Sequence, residues 1–272
     1  IATGGFGSNV DFRQAKNTGV WKEVKLDKDI PCTNNFKASQ GDGLKLAEQV
    51  GANIIDLDDI QLHPGGTPKT GIMSSWPSGR NRIFLTPQGD RFVNEDAARD
   101  TLCKAIFKEG GKYWIVSNHV KYPSLDYQSK NLTIGEMIKL GQAFSGNTVE
   151  ELASKTGMDP KKLKAAIQSY NDAVTGKVKE DSFGFKKSTK DDQPMTEDPY
   201  YATPMVPAVH HTMGGIQINT NAQVLDKNGK VIPGLFAAGE VTGGVHGSNR
   251  VGGNGIADAM VYGRISGQSA LK

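Results

Sequence analysis

Seventeen residues near the C-terminal end, Gly239–Gly255, read GEVTGGVHGSNRVGGNG and hold seven glycines. Glycine weakens strands and helices, so such a concentration implies turns, or a backbone that something else approaches closely. One histidine and one arginine, Arg250, stand among the glycines. Directly behind them, Gly255 to Leu271 reads as a helix. A glycine-rich loop feeding a helix N-terminus presents backbone N–H groups and the positive end of the helix dipole to a polar or anionic group. Arg250 adds a planar fork suited to a carboxylate or phosphate. From the residues alone, the other reading is a structural turn with a surface arginine.

Composition narrows the classes. A chain of 272 residues, 37% hydrophobic and 22% charged, suffices for one large domain or two modest ones. Its 32 basic and 29 acidic residues are too balanced to argue for a nucleic-acid partner. No stretch approaches the length of apolar sequence that membrane insertion requires. Cys32 and Cys103 have no metal or redox spacing, so each is expected to be a buried thiol, and no metal site is expected. The opening IATGGFGSNV has no Met and resembles the end of a buried strand, which predicts further residues upstream. No signal region is visible, so the sequence assigns no compartment, periplasmic or cytoplasmic.

The texture divides into residues 1–57 (α/β), 58–200 (an inserted α+β piece) and 201–272 (α/β again). In the first part, Ile1-Ala2-Thr3 reads as a strand end. GDGLKLAEQVG reads as a helix starting at Asp42, with Leu44, Ala47 and Val50 on one side. A β-leaning segment ends at His63-Pro64. In the second part, Pro87–Asp90 is the turn of a hairpin, and Thr148 with Glu151 forms a capping box. Asp159-Pro160 opens a helix with Leu163, Ala166, Ile167, Tyr170 and Val174 on its apolar face. Lys177–Asp198 reads as a polar surface connection. In the third part, strands flank a hairpin turn at Asn228-Gly229.

Further polar groups stand at element ends: His63 in QLHPGG, Arg99 in GDRFVNEDAARD, and His210 with His211 in HHTMGG. Together with ATGGFG, GDGL and GLFAAGEVTGGVHGSNRVGGNG, in this order, these motifs resemble the flavoprotein module of the soluble fumarate reductase and flavocytochrome c family, FAD-dependent 2-enoate reductases. The likeness runs along the whole chain but covers only the later part of that module. The N-terminal βαβ unit with its dinucleotide fingerprint is not among the motifs present.

The resemblance implies an α/β FAD-binding domain, three-layered and Rossmann-like, interrupted by an α+β capping domain. It implies noncovalent FAD, with Thr3, Gly4, Asp42, His211, Glu240 and the backbone near Ile256 as cofactor contacts. It implies that His210, Arg250 and Gly253 grip one substrate carboxylate, and that His63 and Ser75 hold the far end. The expected reaction is reduction of the C=C bond of a small unsaturated carboxylate, fumarate to succinate or similar, with hydride from flavin N5 and a proton from Arg99. The implied partners are the missing N-terminal FAD-binding segment and a haem or FMN electron-donor domain. The sequence departs from the family's fumarate reductases in the proton relay. There a glutamate follows the hydroxyl residue and an arginine lies shortly beyond; here these places read Trp76 and Gly79, with Arg80 and Arg82 nearby. Urocanate, acrylate or cinnamate are therefore the alternative substrates, ketosteroid dehydrogenases and aspartate oxidases are rival relatives, and a non-catalytic fragment that needs its N-terminal part is the rival class.

Overall fold

The computed structural model describes residues 1–33, 38–68, 70–73, 81–128, 132–187 and 191–271. They form two compact units, Ile1–Leu62 with Val209–Lys272, and His63–Ala208. In chain order come α1 (Val10–Lys16), α2 (Asp42–Gln49), β1 (Ile54–Ile55) and β2 (Ile60–Gly66). Then follow β3 (Ile83–Leu85), α3 (Arg99–Lys108), β4 (Tyr113–Asn118), α4 (Ile134–Lys139), β5 (Phe144–Gly146), α5 (Val149–Thr156), α6 (Pro160–Val174) and β6 (Tyr200–Thr212). β7 (Gly215–Gln217), β8 (Gln223–Leu225), β9 (Val231–Phe236), β10 (Thr242–Gly243) and α7 (Asn254–Ala270) complete the elements. The chain passes from one unit to the other inside β2 and returns inside β6.

The second unit is built on a sheet ordered β2-β6-β4-β3, with β5 also on β6. β3 and β4 are antiparallel, Ile83 opposite Val116 and Phe84 opposite Ile115. Alternation sends neighbouring side chains to opposite faces. Ile83, Leu85 and Val116 pack with Leu152 of α5 and with Leu163 and Tyr170 of α6. Phe84 and Ile115 pack with Leu102 and Ile106 of α3. Helices therefore cover both faces, which is why these strands read as apolar runs.

Local signals set the helix starts. Thr148 accepts the Glu151 N–H at 3.0 Å, but the Glu151 carboxylate accepts the N–H of Asn147, not that of the cap residue. Asp159 accepts from Lys161 and Lys162 ahead of α6, and the apolar positions of α6 expected from spacing are all buried. The polar run after Lys177 is a correction: Phe185 and Met195 are each 1% exposed and belong to the α5–α6 core.

In the first unit β7 lies between β1, antiparallel to it, and β10, parallel to it. β8 and β9 form the hairpin around Asn228-Gly229, closed by Asp226 N–H to Lys230 O at 2.8 Å. Ala2 bridges Ala237 in parallel, matching the strand end expected at the first residues. Buried Arg13 donates to the carbonyls of Gly7, Leu26, Asp27 and Ile30 and so ties the loop after α1 to the turn before it. Three local expectations change. α2 ends at Gln49, leaving Val50 58% exposed. β2 runs on through Pro64 to Gly66. Cys32 is half-buried whereas Cys103 is buried, and both are free thiols.

Candidate functional site

The answer to the glycine pattern is partly the chain itself. A Cβ on Gly215 would stand 2.0 Å from the carbonyl oxygen of Val241, and one on Gly214 would stand 1.8 Å from that of Asp56. The glycines of HHTMGG thus let β7 close against its neighbours, which carries the end of β6 into the site. A Cβ on Gly5 would meet Thr212 Oγ1 at 2.4 Å and Glu240 Oε1 at 2.5 Å. Backbone and buried polar side chains meet where that Cβ would be.

Glu240 stands in a single 3₁₀ turn, Gly239–Val241. Its Oε1 accepts the Thr212 backbone N–H at 3.0 Å and the Thr212 hydroxyl at 3.3 Å. Oε2 lies 3.7 Å from Nδ1 of His211. This contact is not an ion pair, because burial, reinforced by the charge of Arg250, pushes the His211 pKa down to about 3. His211 is therefore neutral, 4% exposed, and its Nε2 is buried without a hydrogen-bond partner. Its ring meets that of His246 edge to face at 5.5 Å, and His246 Nε2 is 3.2 Å from Asp258 Oδ2 of α7.

Arg250 belongs to the same cluster. Its guanidinium carbon and the His211 ring carbon Cε1 lie 3.2 and 3.3 Å from where a side chain on Gly255 would begin. Gln61 donates to the Arg250 carbonyl at 2.8 Å and to Asn249 Oδ1 at 2.5 Å, fixing the loop. His210 Nδ1 lies 2.5 Å from Thr33 Oγ1. Gly253, at φ 89°, caps α7 without any side-chain acceptor, and the first turn holds no acidic residue. Asn254 and Ile256 donate their N–H groups back to the carbonyls of Val251 and Gly253, so the positive end of the α7 dipole is met by backbone alone and no side chain neutralises it. Thr3, Gly4 and Asp42 are exposed, and the side chain of Ile256 is 71% exposed.

The expected residues thus divide by unit: His210, His211, Glu240, Arg250 and Gly253 are gathered in the first, and His63 and Arg99 lie in the second. Ser75 and Trp76 lie outside the described residues. His63 is 2% exposed, and its Nδ1 accepts the Gly65 N–H at 3.0 Å. Arg99 is the first residue of α3, behind Ala98. A cation there opposes the helix dipole by about 0.3–1 kcal/mol. Its Nη1 is buried with no hydrogen-bond partner, and desolvation lowers its pKa from the ordinary arginine value. Each of these features makes the guanidinium a better acid than an exposed one. Thr212, His246, Asp258 and Gln61 were not foreseen as site members. The histidine within the glycine-rich stretch was the one visible hint of them.

The model of a family described as an FAD binding domain matches residues 1–256. The chain belongs to this FAD-binding family. It is 40% identical over 99% of its length to the NADH:acrylate oxidoreductase of Vibrio harveyi, covering 26% of that protein. It is 37% identical over its full length to the fumarate reductase (cytochrome) of Shewanella frigidimarina, covering 45% of it. The open conformation of a flavocytochrome c3 fumarate reductase superposes with a TM-score of 0.75 at 37% identity, over 98% of this chain and 45% of that one. The chain thus spans less than half the length of these relatives, and its α/β fold is that of the FAD-binding domain. FAD is the cofactor of the family. The orphaned His211 Nε2 and the uncapped N-terminus of α7 fit a large polar cofactor lying against the first unit.

Proposed function

We propose that the complete protein is an FAD-dependent oxidoreductase that reduces the C=C bond of a small unsaturated carboxylate, with fumarate the leading candidate. When bound, FAD supplies the hydride. His211 and Glu240, with the backbone at Thr3, Gly4 and Ile256 and the Asp42 side chain, hold the cofactor. Arg250, His210 and the Gly253 N–H bind one carboxylate and stabilise the enolate-like charge that develops beside it. In the second unit, which serves as the capping and substrate domain, His63 and Ser75 hold the far end of the substrate. Arg99 gives its proton to the carbon next to the one that receives hydride. The observation that carries this reading is the state of Arg99, a helix-start guanidinium with a buried, unpartnered Nη1 and a lowered pKa. Similarity to relatives named for acrylate and for fumarate supports the substrate class.

The reading includes an N-terminal FAD-binding segment beyond these residues. α7 leaves Ile256, Met260 and Val261 exposed, and such an apolar face suits that segment. A haem or FMN domain is the proposed electron donor. The test is kcat/KM for fumarate, acrylate, cinnamate and urocanate on the full-length flavoprotein. Fumarate is expected to lead. If it trails another acid by more than about tenfold, about 1.4 kcal/mol of transition-state binding, fumarate is the wrong name, and the reaction class stands.

A further inference from the structure

The end of β6 that carries His210 is held by more than its own sheet. Part of the irregular segment after α1 runs beside it in the first unit. The Val209 N–H donates to Pro31 O and the Thr33 N–H to Val209 O, each at 2.8 Å, and Cys32 bridges Val209 in parallel. One step along this parallel pair, Thr33 comes level with His210. Its hydroxyl lies 2.5 Å from His210 Nδ1 and 3.4 Å from Val209 O. Two further residues keep the segment in place. Arg13, 1% exposed, donates to the carbonyls of Leu26, Asp27 and Ile30 and so fixes the chain leading into Pro31. Gly7 leaves room for it: a Cβ there would stand 3.0 Å from Val209 Cγ1 and 3.3 Å from Cys32 Sγ.

We propose that Thr33 is a positioning residue for His210, its hydroxyl keeping a hydrogen on Nε2, the ring nitrogen that meets the substrate; this rests on His210 being a carboxylate ligand. A carboxylate only accepts hydrogen bonds, so Nε2 must donate. Which ring nitrogen of a histidine carries the hydrogen is set by the bond that the other one makes. In a neutral imidazole, the Thr33 O–H donates to Nδ1, and the hydrogen is left on Nε2. In an imidazolium, Nδ1–H donates to the Thr33 oxygen, and the O–H turns to Val209 O. A hydroxyl can take both parts because it has one hydrogen to give and two lone pairs to accept with. Nε2 therefore faces the carboxylate as a donor in either charge state, and the ring plane is held from its far side. Valine has the shape of threonine and can take neither part. The same contacts give buried Arg13 a place in the site, since it holds the loop whose end sets the histidine.

The test measures kcat/KM for fumarate, acrylate, urocanate and cinnamate on the full-length flavoprotein, with flavin content in parallel. The series holds the parent, Thr33→Val, Thr33→Ala, Thr33→Ser, His210→Ala, and Thr33→Val combined with His210→Ala. For the acid that the parent reduces best, both variants without the hydroxyl are expected to keep their flavin and to lose about tenfold in kcat/KM. Thr33→Ser, which keeps the hydroxyl, is expected to stay within about threefold of the parent. In the His210→Ala background, Thr33→Val is expected to cost less than about twofold more, because two members of one hydrogen-bonded pair do not add. A Thr33→Val enzyme with the parent's kcat/KM, or one that loses the same factor with and without His210, overturns the positioning role. If His210→Ala is impaired in that series, the carboxylate reading stands and only the part of Thr33 falls; if His210→Ala matches the parent, both fall.

Discussion

Replacing Arg99 by alanine should cost the full-length flavoprotein about 10²–10⁴-fold in turnover, the span of a positioned proton donor, and should leave FAD binding intact. Arg99 is in the second unit, while the residues that fit the cofactor are in the first, so its loss removes no proposed cofactor contact. The effect belongs in kcat, because the proton moves only in the transition state. Arg99→Lys should recover part of the rate at most, since lysine offers a point charge in place of a planar fork. The guanidinium is already prepared for the task, because burial opposes its charge and α3 points its positive end at it. Steady-state kinetics with flavin content measured in parallel decides the matter. Near-normal turnover in Arg99→Ala removes this residue from the mechanism.

Gly215→Ala should destabilise the first unit by about 3 kcal/mol or more, at the upper end for a single substitution. The new methyl would sit 2.0 Å from Val241 O and 2.6 Å from the carbonyl carbon, both backbone atoms that no rotamer change can move. β7 must then separate from β10, and the end of β6 that carries His211 and Thr212 shifts with it. Weaker FAD binding should accompany the lost stability. Gly263→Ala is the matched control: it lies inside α7 with nothing within 4 Å of the added methyl. There alanine should be neutral or stabilising by up to about 1 kcal/mol, from helix propensity. Denaturant midpoints of the two variants should move in opposite directions or, at the least, differ by the full cost of the Gly215 clash. Equal midpoints would mean that β7 and β10 are not packed as described.

The glycine-rich stretch and the paired histidines were legible because each is a local departure from ordinary composition. The α6 face, the Asp159 cap and the Asn228-Gly229 hairpin were legible because period, cap and turn are short-range signals. What the sequence concealed is long-range. Gln61 meets Asn249 across 188 positions, and no pattern near either residue announces the pair. His246 and Asp258 pair across the loop that starts α7, so the dyad exists only once that loop has turned. The orphaned Nη1 of Arg99 follows from tertiary burial, not from the motif that contains it. Phe185 and Met195 sit in a lysine-rich run whose average polarity hides them. The backbone of Val241, pressed against Gly215, was the approach that composition could not reveal: Gly215, and Gly243 within the glycine-rich stretch, let the chain's own strands close on one another.

The most direct test is to reduce the flavin of the full-length protein without oxygen, remove the reductant, and add fumarate, acrylate, urocanate or cinnamate in turn. Reoxidation is followed by the flavin's visible absorbance and the organic product is identified by mass spectrometry. The account predicts rapid reoxidation by at least one of these acids, with a stoichiometric yield of the saturated acid, and loss of that reaction in Arg99→Ala. A flavin that stays reduced in the presence of all four would contradict it.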